Sequence, residues 1–144
     1  MKSLVDQAMK DGSFYDNEIL LEAIGSAQQK GSALHLIGLL TLKSSHGSIE
    51  YPLAVLKMAQ QAGLREVFLH LIFDGRSTLP GSAPVLLEEL ERQMNGIGAG
   101  QIVTGIGREL ALDRDGNYAH IQSAYDALVK GQGVLYSDAR EEAA

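Results

Sequence analysis

The chain is 144 residues long, 45% hydrophobic and 21% charged, with a formal net charge of −6. That length holds one domain with a real core, and the composition is ordinary for a globular protein. With a pI near 5.1 the chain has no global field for nucleic acid or anionic lipid, so any anion site must be a local cluster of Arg, Lys and His. The absence of Cys excludes disulfides, thiolate metal sites and a Cys nucleophile. No apolar run approaches the ~20 residues needed to span a bilayer, so no membrane partner is expected. The N-terminus lacks a signal-peptide core. These features together predict a cytoplasmic chain, cut from a longer one.

In chain order, residues 2–10 predict a short helix that Asp11-Gly12-Ser13 breaks. Asp16-Asn17 is a capping pair for a second helix, whose stripe is Ile19, Leu20, Ala23, Ile24 and Ala27 and whose stop is Gly31. Ala33 to Leu40 reads as a buried strand, and Thr41 to Ser48 as the polar loop at its end. Pro52 suits a helix's first turn, and Leu53, Leu56, Ala59 and Gln60 carry that helix to Gly63. Glu66 to Phe73 is a second strand, apolar without alternation and therefore expected to be covered on both faces. The loop Asp74-Gly75-Arg76-Ser77-Thr78 follows it. A helix from Ser82 to Met94 then turns Val85, Leu86, Leu87 and Leu90 inward, and Asn95-Gly96 ends it. Gln101 to Ile106 is a third strand, Gly107 to Gly116 a loop, and Asn117 caps a last helix directing Ile121, Ala124, Tyr125, Leu128 and Val129 at the core. The segment after Gly133 is polar and expected to fray.

Strand, loop and helix thus recur three times, which predicts a three-layer α/β/α domain with a mainly parallel sheet. The loops after the strands then share one edge, where open α/β sheets bind ligands. They carry Lys43, Ser44, Ser45 and His46; then Asp74, Arg76, Ser77 and Thr78; then Arg108, Asp113 and Arg114. Each arginine alone is more often a solvated side chain. Placed after consecutive strands, Arg76, Arg108 and Arg114 point to one anion site, because guanidinium forks grip phosphate in two-pronged fashion. His46, in its Ser/Gly-rich loop, can donate to a phosphate or simply face solvent. His35 and His70 read as core histidines satisfied by neighbours, and His120 as an exposed helix residue. Lys43-Ser44 lacks P-loop spacing, TGIGRE is no dinucleotide fingerprint, and no metal-ligand spacing or nucleophile elbow is present.

The segments DGSFYDNEILLEAI, GSALHLIGLL, FLHLIFDGRST, GRELALDRD and AYDALVKGQG, taken together and in order, resemble the cofactor-independent phosphoglycerate mutases. The similarity runs over residues 1–133 and is to their inserted phosphotransferase, or substrate-binding, domain. It implies a chain that binds phosphoglycerate while a separate phosphatase-like domain, carrying a phosphoserine and manganese, interconverts 3-phosphoglycerate and 2-phosphoglycerate in glycolysis. It also implies that this chain alone is inactive. By position, His46 matches the family's loop histidine, Asp74-Gly75-Arg76 its DGRD motif, and Arg108 and Arg114 the arginines of its GRYYAMDRD segment. There are departures. Ser77 stands where the family places the aspartate of DGRD, Leu42 to Ser48 replaces a DGGVHSH-like loop, and Glu109-Leu110 replace two aromatics. They keep a second reading open, that of a diverged, non-catalytic module binding a phosphorylated metabolite.

Overall fold

The structure is a computed structural model and describes residues 4–42 and 47–136. After α1 (Leu4–Asp11) and a single 3-10 turn, α2 spans Glu18–Lys30. Its start is fixed as expected: the Asn17 side chain accepts the Leu20 N–H at 3.1 Å, satisfying one of the helix's orphan donors. Gly31, at φ 59°, ends it in the left-handed conformation that favours glycine. Then come β1 (Leu34–Leu40), α3 (Glu50–Gln61), β2 (Val67–Phe73), α4 (Ala83–Ile97), β3 (Gln101–Gly107), the one-turn α5 (Arg108–Ala111) and α6 (Tyr118–Lys130). The turn α5 occupies part of the stretch expected to be loop, and α4 runs past Asn95-Gly96 to a left-handed Gly98.

The three strands are all parallel and lie in the order β1-β2-β3. Helices flank them, as the repeated strand–loop–helix pattern predicted. One face of the sheet, with Leu36, Leu40, Val67, Leu69 and Leu71, packs against Ile24 of α2, Leu53 and Leu56 of α3, and Leu87 and Leu90 of α4. On the other face α5 and α6 gather at the β3 side.

Four expectations are corrected, those for β1 and α6 because that second layer is narrow. The strand β1 is not buried on both faces: its exposure alternates, His35 is exposed, and Ile37 is 62% exposed because it sits on an edge strand that α6 does not reach. Val85, at 68%, points away from the core face of α4. In α2, Ile19 of the expected stripe is exposed and only Ile24 and Ala27 are buried. In α6 only Ala124 is buried, while Ile121, Tyr125 and Val129 remain exposed.

His70 is a core histidine, 6% exposed, and its partners are polar groups on the neighbouring strands. His35 Nδ1 lies 2.8 Å from His70 Nε2, and His70 Nδ1 lies 2.7 Å from Thr104 Oγ1, a row crossing all three strands. Burial, and then the neighbouring His35, push the His70 pKa below its ordinary 6.5. The unfolded chain therefore binds a proton more readily than the folded one once pH drops under that value. Stability should be unaffected by His70 above about pH 6.5 and should fall as pH descends toward the lower folded-state value. Urea unfolding at pH 7.5, 6.5 and 5.5 should show this loss in the parent chain and a flatter profile in His70→Gln. Parallel profiles for the two would contradict it.

Candidate anion-binding site

At the carboxyl edge of the sheet a cleft of about 750 Å³ opens between the β2–α4 loop, α5, the turn after it and the start of α6. Leu39 and Leu112 form its apolar part, and Arg76, Arg108 and Arg114 all line it. This volume suits a small molecule. The alternation along β2 explains how Arg108 is held. Phe68, His70 and Ile72 share one face, and Asp74 continues that phase just past the strand end. A register shift between Leu69 and His70 skips Val103, pairs Thr104 with His70 and Ile106 with Ile72, and so brings Arg108 abreast of Asp74. The Arg108 guanidinium donates a short hydrogen bond to Asp74 Oδ1, with the Asp74 side chain 1% exposed and that of Arg108 25%.

Asp74 thus sits behind Arg108 rather than on the cleft wall. Its other oxygen accepts the backbone N–H of Ser77 at 3.2 Å, which ties down the DGRS turn, and Gly75 in that turn has φ 51°. Ser77 itself is exposed and is not a lining residue. Arg76 and Arg114 are exposed and have no carboxylate partner among the described residues. His46, together with Lys43, Ser44 and Ser45, lies outside the described residues.

Two features escaped the reading of the sequence. Asp113 is bound not to an arginine but to the turn it begins: Oδ1 accepts the N–H groups of Asp115 at 3.1 Å and Asn117 at 3.0 Å. Its Oδ2 lies 3.2 Å from His120 Nδ1. Burial works against charge on this carboxyl, but these backbone and imidazole hydrogen bonds outweigh it and hold the pKa below the usual carboxylate value. His120 in turn lines the cleft. The signal for it was present in the sequence, since a residue in the first turn of a helix can fold back on the turn that precedes it. Asn117 gives no side-chain cap to α6; its amide meets His120 Nε2 at 3.0 Å instead.

A three-stranded parallel sheet flanked by helices, with arginines gathered beyond the strand ends, is an open α/β domain, a class whose ligands bind at the sheet's carboxyl edge. The family described as BPG-independent PGAM N-terminus (iPGM_N) matches residues 5–144, and the chain belongs to that family. It is 36% identical over 137 residues to a 2,3-bisphosphoglycerate-independent phosphoglycerate mutase of Clostridium novyi, covering 95% of this chain and 27% of the relative. To the protein of the same name from Saccharophagus degradans it is 37% identical over 131 residues, 91% of this chain and 25% of the relative. A crystal structure of Leishmania mexicana phosphoglycerate mutase, at low cobalt concentration, superposes with a TM-score of 0.86 at 29% identity, covering 96% of this chain and 26% of that one. The chain therefore spans about a quarter of the length of the relatives it matches.

Proposed function

We propose that this chain is the substrate-holding part of a phosphoglycerate mutase. The observation that carries the reading is the convergence of Arg76, Arg108 and Arg114, from two different strand ends, on one cleft of small-molecule size. Guanidinium forks there suit the phosphate and carboxylate of a phosphoglycerate. Asp74 fixes the direction of Arg108, and the resemblance to the family adds His46 as a further donor. Manganese belongs, on this reading, to a separate phosphatase-like domain with a phosphoserine, which carries out the transfer in the cytoplasm as a step of glycolysis. Among the described residues no three His, Asp or Glu side chains cluster as metal ligands. No helix of the described residues is long and apolar enough to cross a membrane, and a chain of net charge −6 carries no global field for nucleic acid.

Titration with 3-phosphoglycerate followed by NMR tests the site. Shifts should concentrate at Arg76, Arg108, Arg114 and the turn at Asp113. A charge-assisted contact contributes roughly 1.5–3 kcal/mol, so two or three, less the entropy of association, place binding near millimolar. The chain alone, with or without manganese, should not convert 3-phosphoglycerate. Shifts confined to residues far from the cleft, or conversion above a protein-free control, would sink the reading. Ser77, in place of the aspartate of DGRD, favours a second one, a module that holds a phosphorylated metabolite without turning it over. Turnover by the full-length protein encoded by the parent reading frame would dismiss it, and binding without turnover would establish it.

A further inference from the structure

The cleft is lined by as many carboxylates as guanidiniums, and no ion pair among the described residues joins one to another. Arg108 is matched from behind by Asp74, and Asp113 commits one oxygen to the N–H groups of its own turn and the other to His120. Among the described residues, Arg76 from the β2–α4 loop and Arg114 from the turn after α5 are left without a carboxylate. On the anionic side, Glu109 of α5 is exposed, and its side chain has no hydrogen-bond or ion-pair partner among the described residues. Its place in the backbone is fixed, because the Leu112 N–H closes the turn on the Arg108 carbonyl at 2.8 Å. Unpaired cations and an unpaired carboxylate therefore stand in one cleft without meeting.

We propose that Glu109 is a specificity-determining residue of this cleft: it weakens the hold on a phosphate ester that carries a second anionic group and favours one that carries hydroxyls instead. The inference rests on the anion-site reading given above and narrows the ligands of that site toward phosphorylated polyols. A phosphate gripped by Arg76 and Arg114 leaves the rest of a three-carbon ligand only a few bond lengths away, inside the same cleft. There it meets Glu109, which follows Arg108 directly along α5. A ligand carboxylate drawn to Arg108 also comes up against this like charge, which no cation of the described residues offsets. A ligand hydroxyl finds an acceptor instead, since an ionised carboxylate has about four lone-pair sites and those of Glu109 are not taken by described residues. Discrimination is a difference of two affinities, and an unpaired like charge set against one ligand is a direct way to build it. Asp115, the other exposed carboxylate of the lining, follows Arg114 along the chain. It therefore stands beside a cation assigned to the phosphate, which both kinds of ligand share.

Glycerol 3-phosphate and 3-phosphoglycerate make the comparison. They share the phosphate, the three-carbon skeleton and the central hydroxyl, and differ only in a hydroxymethyl group where the other has its carboxylate. Each is titrated into the full chain at about pH 8 and constant ionic strength, with binding followed by NMR. Glu109→Gln keeps the length of the side chain but not its charge. It should shift the ratio of the two affinities toward 3-phosphoglycerate roughly three- to tenfold, the effect of one like charge at cleft distance in a water-exposed site. Glu88→Gln removes the same charge from an exposed position on α4 that does not line the cleft, and should leave the ratio unchanged. Asp115→Asn should strengthen both ligands alike. The proposal is overturned if Glu109→Gln leaves the ratio unchanged, whether or not both affinities rise, or if Asp115→Asn or Glu88→Gln shifts the ratio as much. Each of these results leaves the anion site standing. Absence of any cleft shift with either ligand removes the site itself and this inference with it.

Discussion

Arg108→Ala is expected to do two things at once: abolish detectable binding of 3-phosphoglycerate and lower the melting temperature on the order of 10 °C. The second effect arises because the Asp74 side chain is 1% exposed and Arg108 is its cationic partner. Removing one member of a buried pair leaves the other charge uncompensated, which typically costs 3–5 kcal/mol. Arg108 is itself 25% exposed at the side chain, and water can enter the vacated space, so about 2–4 kcal/mol is the expected loss. Arg65→Ala is the control. Arg65 is exposed and precedes β2 at the opposite edge of the sheet, so neither binding nor melting should change appreciably. Thermal unfolding by circular dichroism, with the NMR titration run below the transition, separates the effects. An unchanged melting temperature would show that Asp74 does not depend on Arg108. Equal loss of binding in both variants would show that the arginine acts only through bulk charge.

Leu56→Ala should cost about 3–5 kcal/mol, the upper part of the range for buried leucines. Leu56 is 0% exposed and packs in the cluster that joins α2, α3 and α4 to the sheet. It also fills the space over Gly100, where a Cβ would stand 2.8 Å from Leu56 Cδ2. Glycine has no side chain to relax into the void that alanine leaves, so the cavity should persist. For a domain whose total stability is on the order of 5–15 kcal/mol, this is a third or more of it. The denaturant midpoint in urea should fall with little change in slope. The protein that stays folded should bind 3-phosphoglycerate as before, because Leu56 lies on the face of the sheet opposite the cleft. A loss under about 1 kcal/mol would mean that α3 rearranges to close the gap.

Much of this molecule is legible from local sequence. Asn17 and Gly31 bound α2 because a cap and a left-handed glycine act through neighbouring backbone alone. Three apolar runs separated by helical stretches of one or two dozen residues leave parallel pairing as the short-range solution, and the loops after the strands must then share an edge. Arg76, Arg108 and Arg114 could be placed on that edge without knowing any distance.

What local sequence does not carry is which face each residue turns to and what covers it. Apolarity alone cannot distinguish a central strand from an edge strand. The sequence of β1 therefore reads as a buried strand although Ile37 lies open, and α6 looks as amphipathic as α4 although only Ala124 is enclosed. The site depends on tertiary structure in the same way. Side chains alternate with a period of two, so a register shift of one residue reverses the face a strand presents. Without the shift that skips Val103, residue 107 would stand abreast of Asp74 and Arg108 would turn to the other side of the sheet. Likewise the distance from Asp113 to His120 is closed only because the turn after α5 folds back on the first turn of α6. Residue types and their order determined the fold class and the arginines. The pairing register and the packing of α5 and α6 decided which arginine is anchored, by what, and which histidine stands beside it, because those relations lie between segments that sequence leaves free to slide.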